Sequence, residues 1–150
     1  MDAVRALMDE ALTQACTALA TGDVPIGAVV ADPDGRIIAV GRNEREALGD
    51  PTAHAEIVAI RGAAAALGTW RLDGCTLVAT LEPCVMCAGA AMQARVARIV
   101  FGAWDEKAGA LGGVIDVARD RAMPQQVEIV AGVAEAESAA LLSAFFAERR

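Results

Sequence analysis

The chain lacks any run of about twenty apolar residues, so no segment reads as a membrane-spanning helix. It also lacks a basic-then-apolar leader: Asp2, Asp9 and Glu10 stand near the N-terminus, and no secretory signal is expected. Basic residues are in deficit, with 13 Lys and Arg against 20 Asp and Glu and a net charge of −7. That balance argues against a generic nucleic-acid binder, though a local basic patch remains compatible with it. Histidine is nearly absent, since His54 is the only one. Cysteine is sparse: of the 4, two form Cys84-x-x-Cys87 directly after Pro83. In a chain that is neither short nor loop-rich, that spacing reads as metal ligation in a reducing cytoplasm rather than as disulfides. Cys16 and Cys75 lie in apolar periodic segments and read as buried structural residues.

What is present is enough for one domain, residues 1–150, with 55% apolar residues. Much of that fraction is alanine, which predicts a core of closely packed small side chains. Val4, Leu7, Met8, Ala11, Leu12, Ala15 and Leu19 recur at helical spacing and predict a helix over 2–20, with Asp2 as its cap. Two apolar runs, 26–31 and 36–41, flank Asp32-Pro33-Asp34-Gly35 and predict an antiparallel hairpin. A polar loop over 42–53 follows, then a helix from about Ala53 to Leu67 with Thr52 as a cap and Gly68 as its stop. Strands are expected at 75–80, 97–101 and 127–131. Helices are expected at 84–94, briefly within 114–121, and over 134–148 with Ala140, Leu141, Ala144 and Phe145 inward. This order implies an α/β fold, one mixed sheet with helices on both faces.

The chemistry concentrates in two short stretches. Pro51-Thr52-Ala53-His54-Ala55-Glu56 offers a histidine and a carboxylate two residues apart, and Glu82-Pro83-Cys84-Val85-Met86-Cys87 offers two thiols three apart. His54, Cys84 and Cys87 make three zinc ligands, and a three-ligand site keeps its fourth position open, as catalytic zinc does. A structural zinc would want a fourth protein ligand, and no further Cys or His stands nearby. Both thiols would share one face at the start of a helix, whose partial positive charge favours thiolates. Glu56 reads as the proton carrier beside the metal. In a regular helix it would point about 200° away from His54, so it can reach a metal-bound water only if the chain has not fully entered the helix at His54, as an irregular helix start would allow. The combined H-x-E…P-C-x-x-C pattern marks zinc nucleobase deaminases.

Asp50 to Ile57, Thr80 to Ala90 and Val100 to Ala103 together resemble the tRNA-specific adenosine deaminases of the cytidine and deoxycytidylate deaminase superfamily. Val24 to Val29 and Leu141 to Phe146 fit the same pattern, so the resemblance runs along almost the whole chain. It implies a three-layer α/β/α cytidine-deaminase-like fold with a central five-stranded mixed sheet. It implies a cytoplasmic homodimer, one Zn2+ per subunit, and conversion of adenosine to inosine at the wobble position of a tRNA anticodon stem-loop. By position it implies that Asn43 hydrogen-bonds the flipped base. The backbone at Ala55 and the start of the Cys84 helix would hold that base's edge, with Asp105 and Lys107 near the anticodon-loop backbone. Ala108 and Gly113 depart from the pattern by removing two hydroxyls from an RNA-facing loop, and Ala144 replaces a position that is often polar. Only Arg149 and Arg150 remain of a basic tail. Two rivals stay open: a free-base (guanine) deaminase, which shares both motifs, and a non-catalytic zinc-stabilised subunit that binds RNA or a partner. Glu56 argues against the second, since a structural site has no need of a carboxylate there.

Overall fold

The computed structural model describes residues 1–149; Arg150, half of the expected basic end, lies outside the described residues. Five strands form one mixed sheet in the order β2-β1-β3-β4-β5. The strands are β1 (Gly27–Ala31), β2 (Ile37–Arg42), β3 (Thr76–Leu81), β4 (Arg98–Ala103) and β5 (Glu128–Val130). β1 runs antiparallel to both β2 and β3, while β3, β4 and β5 run parallel. The helices are α1 (Asp2–Thr17), α2 (Arg45–Leu48), α3 (Ala55–Leu67), α4 (Val85–Gln93) and α5 (Glu135–Ala147).

The strands carry apolar residues on both faces because both faces are covered. Val29, Ala31, Val78 and Val100 pack beneath Leu7, Met8 and Ala11 of α1. The alternate residues Ala28, Val30, Leu77, Ala79, Ile99 and Phe101 pack beneath α3 and α4 through Ala55, Ala59, Ala63, Ala88 and Ala91. The expected small-residue core is therefore real, and it brings helix backbones close to the sheet. At Gly41 any side chain would overlap the carbonyl of Ala55 and the amide of Ala59. The first turn of α3 lies against β2 because that position is glycine. Phe101 is the largest fully buried side chain, and its burial contributes on the order of 2 kcal/mol.

The hairpin forms as expected. Asp32 accepts the amides of Asp34 and Arg36 at 2.9 Å each, and Gly35 turns the chain at φ 87°. Gly68 ends α3 in the left-handed conformation at φ 67°. Other expectations need correction. Cys16 is exposed, on the solvent side of α1, although Cys75 is buried. Met1, not Asp2, occupies the position before α1, and the helix tightens into a 3-10 turn over Ala18–Thr21. His54, not Thr52, precedes α3, and the Thr52 hydroxyl donates instead to Asp50 at 2.8 Å. The short helix within 114–121 is only a 3-10 turn, Val117–Arg119. In α5, Phe145 is buried and Leu141 half-buried, but Ala140 and Ala144 are exposed. The stretch 42–53, expected as loop, contains α2.

Candidate zinc centre

His54 and Cys84 occupy equivalent places: each is the extended residue immediately before a helix. His54 has φ −68° and ψ 151° ahead of α3; Cys84 has φ −74° and ψ 176° ahead of α4. Pro83 suits this arrangement by keeping Glu82 out of helical conformation, so β3 runs out extended and α4 begins only at Val85. Both helix starts meet where the parallel strands β3 and β4 end, the usual place for a cleft in an open α/β sheet.

The three predicted ligands come together. Nδ1 of His54 lies 3.6 Å from Sγ of Cys84 and 3.5 Å from Sγ of Cys87. All three donor atoms lie within 4.8 Å of one another. One imidazole nitrogen and two sulfurs converging on a common point suit zinc's preference for tetrahedral N and S ligands. The electrostatics agree. The Cys84 thiol is pushed down to about 5, first because the Cys87 thiol donates to it and then, against burial, by the Cys87 amide, His54 and the Met86 amide. The Cys87 thiol is pushed up, first by that same contact and then by its burial. The two directions describe one shared proton, which a bound ion would displace.

Glu56 sits one residue inside α3 and is only 4% exposed. Since His54 precedes the helix, the 200° separation does not apply, and both residues line the same cleft. Burial raises the Glu56 carboxyl above its ordinary value; the Cys84 charge adds to this, while its own amide, Cys87 and His54 oppose it.

The cleft has a volume of about 180 Å3, and Asn43, Ala55 and Asp105 also line it. Asn43 is held from both ends: its Nδ2 donates to the Val24 carbonyl at 3.3 Å and its Oδ1 accepts the Arg45 amide at 3.2 Å. One N–H and one lone pair remain for a ligand. Ala55 belongs to the first turn of α3, whose amides have no carbonyl partner within the helix. Asp105 turns its Oδ1 back onto the amides of Lys107 and Ala108, at 2.9 and 3.2 Å. Lys107 is exposed and does not line the cleft. Four lining residues were not anticipated: Ile26, Arg45, Leu81 and Glu82. Arg45 rides on a helix of 4 residues, too short for any periodicity to show. Glu82 had a signal, an acidic residue ending an apolar strand. A larger groove of about 780 Å3, between Trp104 and residues 116–131, contains no histidine or cysteine.

Comparison with known proteins agrees with this geometry. Residues 1–103 match the cytidine and deoxycytidylate deaminase zinc-binding region. A tRNA-specific adenosine deaminase of Bacillus subtilis is 48% identical over 143 residues, covering 95% of this chain and 88% of the relative. A tRNA(Ile)-lysidine synthase of Deinococcus radiodurans is 50% identical over 149 residues, covering 99% of this chain, which spans only 25% of that relative. Among solved structures, one from studies of A-to-I editing by tRNA:A34 deaminases superposes with a TM-score of 0.87. It is 44% identical, with 91% of this chain and 98% of that one covered.

Proposed function

Because the chain belongs to the cytidine and deoxycytidylate deaminase family, we propose that it hydrolyses adenosine to inosine at the wobble position of a tRNA anticodon loop. The observation that carries this reading is the buried Glu56 carboxyl in one cleft with His54 and Cys84. The B. subtilis relative and the tRNA:A34 deaminase structure supply the substrate class.

In this reading His54, Cys84 and Cys87 would hold zinc, which when bound would supply the Lewis acidity that lets water act as a nucleophile near neutral pH. Glu56 takes a proton from that water on a carboxylate oxygen and passes it to the ring nitrogen beside the reacting carbon. Glu56 then takes the remaining proton from the newly attached hydroxyl and gives it to the departing amine, so a C=O bond forms, the C–N bond breaks, and ammonia leaves. Its raised affinity for protons suits both transfers. Asn43 presents its remaining N–H and lone pair to the flipped base, and the Ala55 amide meets the base edge. Asp105 and Lys107 lie along the RNA backbone, with the Lys107 ammonium toward phosphate. We assign the described fold to one deaminase domain, acting as a cytoplasmic homodimer.

A paired assay tests this. Zinc-loaded protein is offered an anticodon stem-loop with adenosine at the wobble position and, separately, free guanine, adenine and cytosine. Nucleoside mass spectrometry reads the products. Inosine in the stem-loop, lost in Glu56→Ala, is the expected result. Xanthine from guanine without inosine would replace the substrate and leave the proton chemistry; no product from any of them would favour a binding subunit.

A further inference from the structure

The Glu82 carboxylate is 2% exposed, at the point where β3 runs into the zinc ligands, and no step above uses it. It accepts three backbone N–H groups from a single loop. Oε1 takes the Asp105 amide at 3.0 Å; Oε2 takes the Leu111 amide at 2.9 Å and the Gly113 amide at 2.8 Å. The strand end is tied to the same region by its backbone. The Glu82 amide donates to Ala103 at 2.8 Å, and the Pro83 carbonyl accepts the Ala110 amide at 3.0 Å. All three side-chain partners are donors, so the position calls for an acceptor only. The loop has shaped itself to the carboxylate as well. A Cβ at Gly109 would overlap Glu82 and crowd the Asp105 carbonyl.

From this we infer that Glu82 is a positioning residue for substrate RNA: it sets the Asp105–Ala108 wall of the cleft at a fixed distance from His54, Cys84 and Glu56. The chain of contacts is short. Glu82 fixes the Asp105 backbone, and the Asp105 carboxylate in turn orders the Lys107 and Ala108 amides. Asp105 and Ala108 face the cleft. Glu82 borders the cleft, but both its carboxylate oxygens are taken by loop amides, so in this scheme it contacts neither base nor metal. Its loss should therefore weaken the fit of the RNA while leaving the reacting groups in place.

The inference rests on the wobble-adenosine reading, and Glu82→Gln separates the two. The side-chain amide keeps the size of the carboxylate but offers one acceptor atom. Whichever way it is turned, at least one loop N–H meets an N–H. The expected result is a KM for the stem-loop raised roughly tenfold with kcat within about twofold and zinc stoichiometry unchanged. The Asp105, Leu111 and Gly113 amides should also exchange faster with solvent deuterium. An unchanged KM, a loss confined to kcat, or loss of zinc would each overturn the assignment. Should wild-type protein make no inosine, the substrate reading fails. Exchange at those three amides then still decides whether Glu82 orders the wall: faster with zinc retained supports it, unchanged refutes it. If Glu82→Gln does not fold, Glu82→Asp keeps an acceptor-only carboxylate but shortens its reach to the three loop amides, and is read by the same criteria.

Discussion

Glu56 concentrates the proposed chemistry at the level of single residues. It is buried, carries a raised proton affinity, and lines one cleft with His54 and Cys84. Replacing it with Gln keeps its volume and removes its ability to carry a proton. Turnover should fall by about 10²- to 10⁴-fold, the usual contribution of a positioned acid–base group, with zinc content and stem-loop affinity little changed. Single-turnover kinetics and metal analysis on the same preparation check this. Loss of zinc in Glu56→Gln would make the residue a ligand-shell element instead. At this scale the metal-ligand cluster was legible in the sequence, whereas Arg45 and Glu82 in the cleft wall were not, and Lys107 lies off the cleft. Ligand chemistry is set by residue type and spacing, and His54, Cys84 and Cys87 do converge. Glu82 was not legible as an organiser, because its three partners are backbone amides 23, 29 and 31 residues away and carry no side-chain signature.

The elements around the site depend on contacts distant in sequence, and α2 shows this best. A helix of 4 residues cannot sustain itself, since nucleation is unfavourable and few bonds repay it. It persists because Asp23, 1% exposed and two dozen residues earlier, accepts the Glu46 amide at 2.6 Å and the Ala47 amide at 3.2 Å. Asp23 thus serves as a cap supplied from elsewhere in the chain, and α2 in turn carries Arg45 into the cleft. This explains why the stretch reads as a plain polar loop. The cap lies too far away for any local pattern, whereas α1 and α3, which bury a periodic apolar side, were foreseen within a few residues. The same contact gives a pH prediction. Burial pushes the Asp23 carboxyl up, but the Thr21 hydroxyl, the Glu46 and Ala47 amides and the Arg42 charge together hold it below its ordinary value. A depressed folded value means the contribution is fully present above about pH 4 and is lost as pH falls through the folded value. Asp23→Ala should cost about 1–2 kcal/mol in denaturant unfolding at neutral pH. That gap should narrow below about pH 4; a gap constant down to pH 3 would show that the cap is not ionic.

Across the whole molecule, the charge runs against the proposed partner. A protein with a net charge of −7 repels a polyanion at long range, so any affinity for RNA must come from a few cations at the cleft rather than from an overall field. Few are available there. Arg45 lines the cleft, and Lys107, exposed and outside it, stands on the loop that Glu82 anchors. Most other described arginines are engaged: Arg5, Arg36, Arg42, Arg71, Arg119 and Arg149 all pair with carboxylates. Binding should therefore release few counterions and depend weakly on salt. Specificity then falls to the shape of the cleft and its contacts with an unstacked base, as is usual for single-stranded RNA. Lys107→Ala tests this directly. If its ammonium meets one phosphate, the slope of log affinity against log salt should flatten by about 0.7, the value for one contact with a single strand. Affinity should fall for every stem-loop alike and kcat should not change. Filter binding with Glu56→Ala protein across a salt series would measure the slope without turnover. A slope unchanged by the substitution would remove Lys107 from the RNA surface and leave Arg45 as the cation nearest the substrate.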